Sequence, residues 1–305
     1  MKAEINLPMK ASDAVDYLQA KGHSVYLIGS GKVLIEGFSD PGCYRIGTAL
    51  WLGDSKYLNL PDGLTRSDVA VLFCSDNFDA LDDFPTIVVC DDPRNAFMAL
   101  IEAVVQKETM IGIHSSSIIE DGAIIGRDVS IGPYAVVEAG AQIGDRTTIG
   151  AGSVIRGCVT IGSDCLVFPK CSLGSDGYGF RKLQDGTLRR LPHIGGLVIH
   201  DNVEIGAGSV VDRGTFRDTV IEEGTKIDSL TLIGHNVQIG KGCLIIGGLI
   251  GGNTVIGDYC EVIHATIKNR VHIGNGVRVG IGSVILRDVP DGVECFGNPA
   301  RVISR

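Results

Sequence analysis

From Ile113 to Leu173 every sixth residue is aliphatic: Ile113, Ile119, Ile125, Ile131, Val137, Ile143, Ile149, Ile155, Ile161, Val167 and Leu173. A small or β-branched residue sits four places after each, as at Ser117, Ala123, Val129, Thr147 and Cys165, and Gly often follows the aliphatic position. A second tract resumes at Ile199 and Ile205, shifts phase, and runs through Ile221, Ile227, Ile233, Ile239 and Ile245. Two five-residue steps then lead on through Ile250, Ile256, Val262, Ile267, Ile273, Val279 and Ile285. An α-helix cannot keep every sixth residue on one face, because six residues turn it through ~600°. Short strands that bend once per hexad can. The aliphatic residue then always points inward and its i+4 partner fills the corner. Three hexads close a triangular coil, and successive coils stack as parallel strands. Such repeats cannot bury their faces singly and need stacked neighbours. The predicted fold class is mainly β: a parallel β-helix of roughly eight coils over residues 109–305, preceded by a small α/β domain over residues 1–108.

Composition supports this reading and removes several function classes. There are 42 glycines in 305 residues, about twice the usual ~7% share, without a collagen period. Aromatics are only 6%, so the core is built mainly from Ile and Val. A net charge of −9 argues against a general nucleic-acid binder, which needs a basic surface. No long uncharged apolar run predicts a membrane span. The start, Met-Lys-Ala-Glu-Ile-Asn, has no apolar signal core, and the nine cysteines are scattered without CxxC pairs. Those features predict a cytoplasmic chain with reduced thiols and no metal site.

In the first domain, Ser12 or Asp13 is expected to cap a helix running to Ala20, with Gly22 ending it. Strands are expected at Ser24–Ile28, Lys32–Ile35, Val69–Phe73 and Thr86–Cys90. A second helix should open with Asp92 as N-cap and Pro93 at its first position, and reach about Lys107. Gly29-Ser30-Gly31-Lys32 lacks phosphate-loop spacing and reads as a hairpin turn.

The repeat breaks at residues 174–197, which open Gly174-Ser175-Asp176-Gly177-Tyr178-Gly179-Phe180 and carry Arg181, Lys182, Arg189 and Arg190 in an acidic protein. Long loops on rigid scaffolds tend to be functional. Two readings stand: a solvated turn, or a lid that brings cations to a phosphorylated ligand. Beyond the break come Val211-Asp212-Arg213-Gly214 and the run Lys226-Ile227-Asp228-Ser229-Leu230-Thr231-Leu232-Ile233-Gly234-His235-Asn236-Val237. His235 holds the third place of its hexad, beside a corner, and should point outward. By default an outward His is a solvated side chain.

The hexad pattern resembles that of left-handed β-helix acyltransferases. The left hand comes from that resemblance, since the usual crossover rule predicts a right hand. The three segments, in this order, resemble the UDP-3-O-(3-hydroxyacyl)glucosamine N-acyltransferase family of lipid A synthesis. The resemblance implies an N-acyltransferase acting on a UDP- or dTDP-linked amino sugar, for bacterial surface glycan or lipid A-type synthesis. It implies His235 as the general base that takes a proton from the amine as it attacks a thioester. Asp228 would orient the ring or stabilise the imidazolium. One coil on, the Gly252 N–H would meet the oxyanion, although turn geometry also accounts for the glycines there. Asp176, Tyr178 and Asn236 would contact the acceptor, and the family's second His falls at His264 or His272. Trp51 and Tyr57 stand where the family has an aromatic pair that holds uracil. Core packing is the competing reading for the only Trp.

The closing string, ending Gly297-Asn298-Pro299-Ala300-Arg301, resembles sugar acetyltransferases that use acyl-coenzyme A. The chain stops at Arg305 without the lipid A family's carrier-docking helices. The expected donor is therefore acyl-coenzyme A ahead of acyl carrier protein, as a co-substrate and not a permanently bound cofactor. Arg278, Arg287 and Arg301, with Arg270 beside them, would supply cations for its phosphates. The resemblance further implies a homotrimer with active sites between neighbouring β-helices. One rival on this scaffold is a zinc enzyme like the γ-class carbonic anhydrases, for which His235, His264 and His272 are the candidate ligands. The other is a non-enzymatic trimeric scaffold.

Overall fold

The computed structural model describes residues 6–53, 58, 60–79, 81–105 and 112–303. It divides into two compact units, Met1–Glu108 and Thr109–Arg305.

A five-stranded sheet organises the first unit, in the order Val25–Gly29, Thr86–Cys90, Val71–Cys74, Thr48–Trp51, Gly37–Phe38. The first pair is antiparallel and the others are parallel. Parallel strands covered on both faces read as unbroken apolar runs, and Val71–Cys74 and Thr86–Cys90 are buried at every position. Phe73 and Val88 turn to one core, Leu72 and Val89 to another. Helix Pro93–Val104 starts as its sequence predicts, with Asp92 accepting the Asn95 N–H at 3.0 Å. Helix Ala11–Ala20 does not. Its cap is Lys10, without a side-chain bond, and the Ser12 hydroxyl bonds Asp13 instead. The turn after Gly29 is no hairpin either, since the next strand, Leu34–Ile35, pairs with Met9–Lys10. Gly37–Phe38 and Thr48–Trp51 show no period-2 signal, because one has only two residues and the other is mostly buried on both sides.

The second unit is the left-handed parallel β-helix. One face is an eight-stranded sheet from Ile124–Ile125 to His272–Ile273. Coils stack in register on every face, as Ser130 on Thr148, Val136 on Val154 and Gln142 on Ile124. The phased aliphatics form one continuous core in which Ile131, Val137, Ile155, Leu173, Ile233 and Ile273 are fully buried. Most corners are turned by the residue three places after the aliphatic one. Its φ is positive even without glycine: 59° at Tyr134, 61° at Lys170, 62° at Asn236 and 65° at Arg270. The glycine directly after the aliphatic residue serves close stacking instead. A Cβ on Gly144 would lie 2.5 Å from the Gly162 carbonyl carbon of the next coil. Hydroxyls at the i+4 place tie coils together: Thr147 Oγ1 donates to the Gly162 carbonyl at 2.8 Å and accepts the Cys165 N–H at 3.1 Å.

Where the sequence steps by five, the bend is built differently. Leu244–Ile250 and Glu261–Ile267 are seven-residue strands that pair with one another through the corner. They join the two remaining faces into a 17-stranded sheet. Gly247, Gly248 and His264 carry the left-handed backbone there, at φ 66°, 107° and 39°. The first of these steps fixes what stands opposite His235. Within the 174–197 break, Phe180–Lys182 and Leu188–Arg190 form an antiparallel hairpin, and Leu197–Ile199 rejoins the coils.

Candidate active site

His235 and Asn236 sit on the corner after the buried Ile233. Asn236 is only 4% exposed. Its partners fix its amide. Nδ2 donates to the Arg217 carbonyl at 2.7 Å, so Oδ1 is the acceptor, and it takes the Thr215 N–H at 3.1 Å. The same Oδ1 lies 2.9 Å from His235 Nδ1. An amide oxygen cannot donate, so Nδ1 carries the ring proton and Nε2 keeps its lone pair. Thr215 Oγ1, at 3.3 Å from Nδ1, holds the same edge of the ring.

Nε2 faces the next coil. A Cβ on Gly252 would lie 2.8 Å from Nε2 and 3.0 Å from Cδ2 and Cε1. Gly252 has the same hexad place as His235, and the Asn253 N–H ties the two coils by donating to the His235 carbonyl at 2.8 Å. In other coils an N–H at this place donates to a side chain of the neighbouring coil, as Arg127 does to Asp145 and Lys241 to Asp258, both at 2.8 Å. Pro133 and Pro169 occupy it elsewhere, and among the described residues the Gly252 N–H has no acceptor. A base lone pair and a free backbone donor therefore stand side by side, the pairing an acyl transfer needs for its proton and its oxyanion. His235, with Asn253 next to Gly252, lines a cleft of about 580 Å³ walled also by Tyr178, Lys268, Arg270 and Arg287.

The insert lies against this pair. A methyl on Gly177 would stand 3.0 Å from His235 Cδ2 and 3.1 Å from His193 Nε2, so a glycine is needed for the approach. The Tyr178 ring is 84% exposed and lies 4.9 Å from that of Phe180, over which Arg190 sits at 4.7 Å. His193 is buried, with its ring centroid 5.3 Å from that of His235. Asp212, in register with Ser175, has its carboxyl pushed up to about 6 by burial, while His235 pulls it down and Asp176 pushes it further up.

Other residues singled out in the sequence stand elsewhere. Asp228 is exposed, accepts the Ser229 N–H at 2.7 Å, and lines a separate cavity with Phe168, Lys226 and Leu244. Among the described residues no ion pair joins it to His235, whose Nδ1 is already held by Asn236. The orienting part expected of Asp228 is thus filled by Asn236, one residue from the imidazole. His264 and His272 do not wall the cleft. His264 folds over Gly247, where a Cβ would meet its Nδ1 at 2.5 Å, and His272 pairs with Val255 on the eight-stranded face. The imidazole beside His235 is His193, which sequence reading missed because the insert obeys no repeat. Asp212 lies in the Val211-Asp212-Arg213-Gly214 segment, but only the strand register shows that it belongs with this group.

Of the arginines, Arg270 and Arg287 reach the cleft. Arg278 is held by Glu261 at 3.1 Å and Glu294 at 3.2 Å, and Arg301 lines another cavity with Pro299. Trp51 is half-buried and packs on the core of the first unit, which supports the packing reading, and Tyr57 lies outside the described residues. Among the described residues no group of three or more His, Cys, Asp or Glu could hold a metal ion.

Residues 122–157 and 140–174 match the family described as bacterial transferase hexapeptide (six repeats). The UDP-3-O-acylglucosamine N-acyltransferase of Methylorubrum extorquens (strain PA1) is 41% identical over 140 residues, 45% of this chain and 40% of that protein. The protein of the same name from Methylobacterium nodulans is 41% identical over 133 residues, 43% of this chain and 38% of its own length. The chain thus spans less than half the length of these curated relatives. A solved UDP-N-acetylglucosamine acyltransferase from Campylobacter jejuni superposes with a TM-score of 0.57 at 27% identity, covering 63% of this chain and 74% of that one. The LpxA of Acinetobacter baumannii gives 0.57 at 28% identity, covering 63% and 73%.

Proposed function

We propose that the chain transfers an acyl group from a thioester to the amine of a UDP-linked amino sugar. The observation that carries this is the Nε2 lone pair of His235, imposed by Asn236, beside the Gly252 N–H one coil on. Similarity to proteins named as acyltransferases of UDP-glucosamine derivatives supports the substrate class. His235 Nε2 takes a proton from the amine nitrogen as it attacks the thioester carbon. Charge gathers on the carbonyl oxygen, where the Gly252 N–H meets it. The C–S bond then breaks, and the thiolate takes the proton from His235. Tyr178, exposed at the cleft, offers a ring on which the sugar or its base can stack. Lys268, Arg270 and Arg287 suit the phosphates of coenzyme A, so acyl-coenzyme A is favoured over acyl carrier protein as donor.

The working form in this reading is a cytoplasmic homotrimer with each cleft closed by a neighbouring copy. Leu232 and Leu249, exposed and in register on adjacent coils, supply apolar surface for that contact. Separately, no helix among the described residues is long and apolar enough to cross a membrane. The test is thiol release with UDP-linked amino sugars, using acetyl-coenzyme A and hydroxyacyl carrier protein side by side. An N-acylated product in mass spectrometry is expected, and its absence with every pair overturns the reading. A kcat/KM about tenfold or more in favour of the carrier protein, ~1.4 kcal/mol, overturns the donor assignment alone.

A further inference from the structure

Resting on the N-acyl reading, the chemistry poses a proton problem that one imidazole does not solve. An amine beside electron-withdrawing oxygens titrates like an α-amino group, near ~8, and is largely R–NH3+ at neutral pH. It must lose one proton before it can attack and a second as the amide forms. His235 can hold only one at a time.

The structure provides a second imidazole in the same state as the first. His193 is 6% exposed, and its Nδ1 lies 3.1 Å from the Leu191 carbonyl. A carbonyl only accepts, so Nδ1 carries the proton and Nε2 has the lone pair. That Nε2 is buried and, among the described residues, has no hydrogen-bond partner. An orphaned buried acceptor is costly and calls for a reason. His193 walls the same cleft as His235, with the two rings 5.3 Å apart and inclined at 73°. The segment against its Nε2–Cε1 edge is glycine backbone: a methyl would lie 3.1 Å from Nε2 if added to Gly177, and 3.1 Å from Cε1 if added to Gly179.

We propose that His193 is a second base, which receives the first proton of the acceptor's ammonium group. His193 Nε2 takes a proton from R–NH3+ and becomes imidazolium. The freed R–NH2 forms the C–N bond to the thioester carbon, and His235 Nε2 takes the second proton. The C–S bond breaks, the thiolate leaves with the proton from His235, and His193 releases its proton to water. Charged groups surround the pair on every side. The insert contributes Asp176 and Arg190, whose Nη1 reaches the Gly177 carbonyl at 3.5 Å. The strand at Val210–Asp212 brings Asp212, and beside it Arg213 donates to the Gly195 carbonyl at 2.7 Å. Lys268, Arg270, Arg287 and Asp288 face them across the cleft.

The test compares kcat/KM for an amino-sugar acceptor at about pH 7 and about pH 9, on either side of the amine's own titration. Wild type, His193→Gln and His193→Phe are measured together with their melting temperatures. At the higher pH solvent has already removed the first proton, and His193 has no task. Both variants should lose about 10–10²-fold at the lower pH and come within about threefold of wild type at the higher, while His235→Gln stays inactive at both. The two variants differ in shape and polarity, so a folding defect in one is exposed by its melting temperature and by the other. Wild-type turnover with a His193 loss equal at both pH values, or with none, overturns the second base and leaves the proposed function standing. No N-acylation by wild type overturns both.

Discussion

Gly252→Ala adds one methyl group at the point where the proton acceptor and the backbone donor meet. Gly252 does not have left-handed backbone, and Ala151 and Ala207 hold the same hexad place in other coils, so the chain accepts alanine there. The methyl would stand 2.8 Å from His235 Nε2. Non-bonded atoms of this size rest ~3.5 Å apart, so the ring must retreat by about 0.7 Å. It is held by Asn236 Oδ1 at 2.9 Å and Thr215 Oγ1 at 3.3 Å, so it cannot move without loosening the contacts that set its tautomer. A misplacement on the order of 1 Å costs about 10²-fold in rate, and crowding the oxyanion donor a further ~10²-fold or more. Stability should change by less than ~1 kcal/mol, because the entropy removed from the unfolded chain offsets the displaced ring. The assay is thiol release under saturating substrates, with thermal melting in parallel. The control is Gly251→Ala, whose methyl would strike the Asn269 backbone nitrogen at 2.6 Å and should destabilise the stack by ~1–3 kcal/mol. Gly252→Ala with turnover within about threefold of wild type, in a folded protein, would refute the placement of the reaction at this corner.

His235→Ala should lower kcat by ~10²–10⁴ and leave the melting temperature nearly unchanged, because the ring is half-exposed. Asp228→Asn should keep turnover within about twofold, whereas Asn236→Ala should lose about tenfold or more, since Asn236, unlike Asp228, accepts the ring proton. The reverse order would restore Asp228 as the orienting group. Asp212 binds its proton more tightly in the folded chain, at about 6, than a free carboxyl does. Its ionised form therefore costs stability above that pH, and the cost disappears as the pH falls through ~4. Asp212→Asn should accordingly stabilise the chain more at pH 8 than at pH 4, by on the order of 1 kcal/mol after solvent screening, seen as a larger rise in melting temperature at pH 8. Equal shifts at both pH values would mean that the carboxyl is not ionised at a cost. Trp51→Ala should destabilise by about 2 kcal/mol through lost packing, whereas a selective rise in acceptor KM in a stable variant would assign Trp51 to the nucleotide.

The β-helix was legible because one residue in six carries the signal. Ile131 and Ile149 must face inward whatever surrounds them, and hydrophobic burial enforces the phase over many coils. Corners were less legible, because backbone that usually marks glycine is adopted here by Tyr134, Lys170 and Arg270 under the constraint of the stack. The resemblance singles out His235, the coil step puts Gly252 one rung on, and the structure sets the two side by side. Asp228 failed for a geometric reason. It precedes the corner before His235, and a full side of the triangle lies between the two. His193 and Asp212 depend on how the insert folds back, which no period encodes. In the first unit, Trp51 could be read as ligand-facing or as core because a single aromatic on a short strand has no phase to decide it.

Stacked coils also act as a ruler. His235 and Gly252 belong to successive rungs, so the gap between them is one strand spacing, ~4.8 Å, trimmed only by how the ring leans. Side-chain substitution cannot tune that interval, and no loop has to close to achieve it. Evolution of such a site would then be restricted in kind. Whole rungs can be added beyond the cleft without effect, while between Ile233 and Ile250 length can change only where a corner absorbs it, as the five-residue step from Ile245 to Ile250 does with register kept. Any other change there moves the two atoms a full rung apart or turns one onto another side of the prism.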